Sequence, residues 1–162
     1  MQEIGAMKNV ASVSTQRLLQ LSYLPGVGVA ALRKITVHAI ERGLEGISDD
    51  QEILATFSHR GGRSGKQTGD LSPTVLESCE RDSIRIVSPL DDEYPPALAH
   101  IDDFPPLLYI RGNAAALSKI GCAVVGTREA SRLGTSWAKQ LSEIFAGHGY
   151  CVVSELALGI DT

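Results

Sequence analysis

The run Val124-Val125-Gly126-Thr127-Arg128 leads from apolar residues into a polar turn that holds a glycine and an arginine. Residue types in that order suit phosphate. The glycine lets an anion approach backbone N–H groups, and an arginine at the carboxyl end of a strand stands where open α/β sheets bind ligands. The plain alternative is a solvated turn arginine, and the spacing is not the G-x-G-x-x-G of dinucleotide sites. A second run, Ser154-Glu155-Leu156-Ala157-Leu158-Gly159-Ile160-Asp161, repeats the pattern of apolar residues followed by a turn with a small residue and a glycine. If the two turns end neighbouring strands, Gly126–Arg128 and Ser154–Asp161 line one crevice. Asp161 then reads either as a catalytic carboxylate or as the cap of a following helix.

Near the front, Leu24-Pro25-Gly26-Val27-Gly28-Val29-Ala30-Ala31-Leu32 resembles the hairpin of helix-hairpin-helix DNA-binding modules. Two glycines there let helix N-terminal N–H groups meet a phosphate, and Arg33 and Lys34 add charge one turn later. A tight structural connection between two helices accounts for the same residues. The other candidates for chemistry are sparse. His38, His59, His100 and His148 lie in unrelated segments, with no metal-ligand spacing. No G-x-S-x-G, P-loop or HExxH run occurs. Asp91-Asp92-Glu93 and Asp102-Asp103 read as solvated loop acids, and Cys122 and Cys151 as small hydrophobes near adjacent strand starts. No catalytic residue, metal or cofactor follows from these patterns.

The elements that must hold the two turns form a βαβ unit. Ala123–Val125 and Cys151–Ser154 read as strands buried on both faces. Gly134 to Gly147 between them is helix-like, with Trp137, Leu141, Ile144 and Phe145 on one face. Strand, glycine turn, helix and strand predict a parallel pair. Two further strand candidates are Ile84–Val87 and Leu107–Ile110, with Tyr109 expected in the core. Ahead of them a helix starts with Ser72 as cap and Pro73 at its first position and ends near Asp82. The first 57 residues read as three helices. One starts at Ser14 with Leu18, Leu19, Leu21 and Leu24 apolar. The second carries Val29, Leu32, Ile35, Ala39 and Ile40 and stops at Gly43. The third is opened by the capping box Ser48-Asp49-Asp50-Gln51, with Ile53, Leu54 and Phe57 inward. Residues 58–70, glycine-rich and without a large apolar side chain, read as a linker.

The expected organisation is therefore a helical domain over 1–57, a linker over 58–70 and a sheet domain over 71–162. The chain has 162 residues, of which 43% are hydrophobic and 21% charged, a composition that excludes wholesale disorder. No apolar run reaches the ~18–20 residues that span a bilayer, and the first fourteen residues lack a signal-peptide core, so a cytoplasmic location is expected. Three cysteines without CxxC spacing agree with a reducing compartment. The net charge of −4 excludes coating of nucleic acid by bulk charge. Residues 70–112 hold three bases against nine acids, whereas residues 113–162 hold four of each. Any phosphate contact has to come from a local site, away from the acidic middle.

Four runs occur in a fixed order: Tyr94-Pro95-Pro96-Ala97-Leu98, Phe104-Pro105-Pro106-Leu107-Leu108-Tyr109-Ile110-Arg111-Gly112, Ala123 to Arg128, and Val152-Val153-Ser154 to Gly159-Ile160-Asp161. Together they resemble the DNA-processing protein A (DprA/Smf) family over roughly residues 15–162. The resemblance implies an α/β chain, with a small all-helical, helix-hairpin-helix or SAM-like N-terminal domain before an incomplete Rossmann-like parallel sheet. It implies a non-enzymatic, cytoplasmic protein that binds single-stranded DNA and loads a RecA-type recombinase onto it in natural transformation. Full-length members are expected to form homo-oligomers and to avoid membranes. By the same resemblance the phosphate- and DNA-binding set is Gly126, Thr127, Arg128, Ser154 and Gly159. Gly26, Gly28, Arg33 and Lys34 are the secondary candidates.

Two departures stand against the family pattern. Glu155 occupies a position that is glycine in the usual S-G-x-A-x-G-I-D turn, and a carboxylate facing the site would repel phosphate. The chain also stops at Thr162, so a truncated product with further strands, a lysine contact and partner surfaces downstream is expected, with an open strand edge that favours self-association. Two other functions compete. One is a nucleotide-processing, phosphoribohydrolase-like Rossmann enzyme, and the other is a remnant without activity.

Overall fold

The computed structural model of the chain describes residues 10–57, 71–155 and 157–161. They divide into two units, Met1–Gly112 and Asn113–Thr162. In the first, Ser12 opens α1 (Val13–Leu21), its hydroxyl oxygen accepting the Thr15 N–H at 3.1 Å. A turn through Pro25 and Gly26 leads to α2 (Val29–Arg42), which ends at Gly43. A single 3-10 turn (Leu44–Ile47) and α3 (Asp50–Phe57) follow. These helices close on one apolar cluster that includes Leu18, Leu21, Leu32, Ile35, Ile47 and Ile53. Each large aliphatic side chain sealed there contributes about 1.5–3 kcal/mol.

A second cluster joins Val10, Ala11 and Leu19 to Leu76, Cys79 and Ile86. It binds the front helices to α4 (Ser72–Arg81) and to β1 (Ile84–Val87). β1 pairs antiparallel with β2 (Leu108–Arg111), Ile86 opposite Tyr109. Between them lies the short α5 (Pro96–Ala99). The buried Thr15 hydroxyl meets both Ser88 Oγ and Asp91 Oδ2, a polar tie between α1 and the turn after β1. The Tyr94 hydroxyl donates to the Pro105 carbonyl at 2.8 Å. The proline-rich runs around residues 95 and 105 therefore brace the loop between the two strands.

The second unit is a βαβ unit. After a 3-10 turn (Ala114–Ser118) come β3 (Gly121–Ala123), α6 (Arg132–Gly147) and β4 (Cys151–Val153). β3 and β4 are parallel, with Cys122 opposite Val152. Ser131 caps α6, its hydroxyl oxygen accepting the Gly134 N–H at 3.1 Å. This pairing and its crossover helix match the expectation from sequence.

Several local expectations are corrected. The third helix is capped by Asp49, whose Oδ1 accepts the Gln51 N–H at 2.8 Å. Ser48 instead donates to the Glu45 carbonyl and closes the preceding turn. Ser72 is the first helical residue, buried, with Leu71 in the cap position and Pro73 second. β2 starts at Leu108, and Tyr109 is 49% exposed, outside both apolar clusters. β3 runs over 121–123 rather than 123–125, although the Val124 N–H still donates to the Val153 carbonyl at 3.0 Å. Neither parallel strand is buried on both faces, and Val125 and Val153 are exposed. The strands form two separate two-stranded sheets, the antiparallel pair β1–β2 and the parallel pair β3–β4.

Val29 and Ile40 point outward from α2, and Trp137, Leu141 and Ile144 point outward from α6. The less exposed stripe of α6 is Gly134, Ala138, Ser142 and Phe145. Of the expected face only Phe145 is half-buried, edge-to-face with Tyr150. The expected linker 58–70 lies outside the described residues. The helices on either side of it share the first unit, and the division falls between Gly112 and Asn113.

Candidate nucleic-acid interface

The two turns singled out in the sequence are brought together in the second unit. Gly126 N–H donates to Asp161 Oδ1 at 2.9 Å. Ile160 N–H donates to the Thr127 carbonyl at 3.2 Å. Ser154 Oγ lies 2.9 Å from the Val124 carbonyl oxygen and 3.1 Å from that of Asp161, so its one proton is shared between the end of β3 and the Asp161 turn.

Both glycines are needed for this closeness. A Cβ on Gly159 would lie 2.2 Å from the Thr127 carbonyl oxygen, and its φ of +107° is one that side-chain-bearing residues rarely adopt. A Cβ on Gly126 would strike the Ile160 side chain at 2.6 Å. The strand ends are thus interlocked by backbone hydrogen bonds, one carboxylate and one hydroxyl.

That lock redistributes the residues assigned to phosphate from sequence. Gly126 N–H and the Ser154 hydroxyl have partners within the turn pair, and Gly159 packs against the Thr127 and Arg128 carbonyls. The Thr127 hydroxyl oxygen accepts the Glu129 N–H at 3.3 Å. Arg128 is exposed and makes no hydrogen bond or ion pair with another described residue. It is a guanidinium presented from a fixed backbone at the carboxyl end of a parallel strand, able to fork onto a phosphate. Asp161 was legible as a candidate but not its role: it is buried and receives the Gly126 N–H. Glu155 is exposed.

The secondary candidates fare differently. Arg33 donates to the Phe104 and Asp103 carbonyls at 2.8 and 2.5 Å, so its guanidinium braces its own unit. Gly28 precedes the first turn of α2, which has no side-chain cap, and Lys34 is exposed. A recess of about 480 Å³ elsewhere in the first unit is walled by Asp91, Asp92, Glu93 and Arg85, and Arg85 is held by Glu93 at 2.8 Å. Its acidic rim is unsuited to phosphate. Burial, and then the charge of Asp82, push the Cys79 thiol up, which suits a core residue and not a nucleophile. Among the described residues no group of three or more His, Cys, Asp or Glu could hold a metal ion. No described helix is long and apolar enough to cross a membrane.

Residues 85–162 match the family described as DNA recombination-mediator protein A. Over that stretch, just under half of its length, the chain is similar to this family. Protein Smf of Escherichia coli (strain K12) is 40% identical over 74 residues, 45% of this chain and 20% of that protein. DNA processing protein DprA of Streptococcus pneumoniae (strain ATCC BAA-255 / R6) is 43% identical over 75 residues, 45% of this chain and 26% of that protein. The solved structure of DNA processing protein A from Streptococcus pneumoniae shares the fold, with a TM-score of 0.58 at 23% identity over 90% of this chain and 49% of that one. The matched stretches therefore span about a quarter of these curated relatives' length. Both locked turns, the Tyr94–Pro105 brace and all of β2 to β4 lie inside the family stretch.

Proposed function

We propose that the chain binds single-stranded DNA, with Arg128 meeting a backbone phosphate, as part of DNA processing in which the strand is protected and passed to a RecA-type recombinase during natural transformation. The observation that carries this reading is the exposed Arg128, without a partner among the described residues, on a turn fixed by Asp161 and Ile160. The family match and the relatives named as DNA processing proteins support the process. Single-strand binding surfaces usually add stacking aromatics. Aromatic residues make up 5% of the chain, so phosphate contact is the main attraction in this proposal. Single-stranded DNA, the recombinase and further copies of the chain are the proposed partners, in the cytoplasm and without enzymatic turnover. The hairpin at Gly26 and Gly28, with Lys34, is a secondary contact.

No observation favours the phosphoribohydrolase alternative. The Gly126 N–H that would receive a nucleotide phosphate already binds a carboxylate. The test is fluorescence anisotropy of labelled oligo-dT across a salt series. Arg128→Ala is expected to weaken binding more than Arg132→Ala, and to lower the slope of log K against log salt by about 0.7, the single-strand value for one phosphate contact. Equal affinity and slope for wild type and Arg128→Ala would remove the proposal, and absence of any binding would favour an inactive remnant.

A further inference from the structure

In glycine turns that follow a first strand, the freed N–H groups ordinarily face a ligand anion. Here the Gly126 N–H faces an anion of the chain itself, the Asp161 carboxylate at 2.9 Å. We infer that Asp161 is a positioning residue for Arg128, an internal anion that occupies the phosphate place of the turn and fixes the backbone from which the arginine projects. The inference rests on the reading of Arg128 as the DNA contact.

Three observations carry it. Asp161 is the one buried residue among those described in the second unit, at 9% exposure. A carboxylate sheltered in this way makes a stronger bond to an amide than a neutral acceptor does. The same segment grips the turn a second time, through Ile160 N–H on the Thr127 carbonyl, and Ser154 holds the Asp161 carbonyl against the strand end. Arg128 follows immediately and has no partner among the described residues. The backbone is therefore fixed up to the residue whose side chain is free. With the Gly126 amide filled, a phosphate meets the outer face of the turn, where Arg128 projects. That suits the backbone of a strand passing over the surface and disfavours a nucleotide entering the crevice end-on.

The experiment is a double-mutant cycle on the whole 162-residue chain, read by anisotropy of fluorescein-labelled oligo-dT. Asp161→Ala is expected to weaken binding about five-fold, the size of one net hydrogen bond. Asp161→Asn keeps an oxygen acceptor for the Gly126 N–H and is expected to stay within about two-fold of wild type, since only the charge assistance is lost. In the background of Arg128→Ala, Asp161→Ala is expected to cost nothing further, because residues acting through one another are not additive. A loss that adds to that of Arg128→Ala would make Asp161 merely structural and overturn the inference. So would wild-type binding by Asp161→Ala when Arg128→Ala is weak, and in that outcome the DNA reading survives. If Arg128→Ala alone binds like wild type, the DNA reading itself has failed. Should Asp161→Ala lose its circular dichroism, the test moves to the NMR spectrum of Asp161→Asn. The Gly126 amide proton is expected to move more there than any other amide of residues 121–153, and an unmoved Gly126 amide overturns the inference.

Discussion

Glu155 stands one residue beyond the hydroxyl that ties the two strand ends, exposed, on the segment that locks the Arg128 turn. Its charge opposes any phosphate drawn to that turn, and nothing among the salt bridges of the described residues neutralises it. Glu155→Gly is expected to tighten oligo-dT binding by about two- to five-fold at low salt, and by less as the salt rises and screens the repulsion. Anisotropy at two ionic strengths checks both the sign and the screening. The residue types of this site were legible in the sequence, since Gly126, Arg128, Ser154, Gly159 and Asp161 all belong to recognisable turns. Their division of labour was not. That Asp161 reaches Gly126, 35 residues away, depends on the parallel pairing of β3 and β4, and local spacing does not encode such a partner.

At the scale of elements, periodicity located every long helix, and the misassignments came from side chains with two uses. Ser48 satisfies the capping-box pattern, yet its hydroxyl is taken by the Glu45 carbonyl and Asp49 supplies the cap. Val29 and Ile40 fit the apolar period of α2 but flank it, whereas Ile35 lies at its centre with no exposure. Ile35→Ala is accordingly expected to cost about 2–5 kcal/mol, a cavity in a packed cluster. Ile40→Ala is expected to stay within about 0.5 kcal/mol, as for an exposed position. Urea unfolding followed by circular dichroism separates the two. In β4 the short β-branched run signalled the strand, whereas β3 lies two residues ahead of the expected 123–125 run. Burial on both faces did not follow, because a two-stranded pair with one helix covers only part of its surface.

For the whole molecule, the unequal packing of the two units matters more than composition. Every buried hydrophobic side chain among the described residues lies between Val10 and Ile110, whereas Leu133, Trp137, Leu141 and Ile144 of α6 are exposed. The second unit is held mainly by hydrogen bonds, with little apolar burial to add to them. Its amides in α6 and β4 are therefore expected to exchange with deuterium at least about ten-fold faster than those of α2, since local opening there costs less. Equal protection in hydrogen-exchange mass spectrometry would contradict this. The sequence could not reveal the division at Gly112, because the acidic, proline-rich stretch before it reads as surface loop although it is braced by Tyr94 and by Arg33. The central claim is that the strand-end turn, not the front hairpin, is where DNA docks. Titration of the isotope-labelled chain with oligo-dT, followed in the amide NMR spectrum, tests this most directly. The largest shifts are expected at Thr127, Arg128 and Glu129, with smaller ones at Gly159 and Ile160. Shifts concentrated at Gly26 to Lys34, with the 126–129 turn unmoved, would contradict the account.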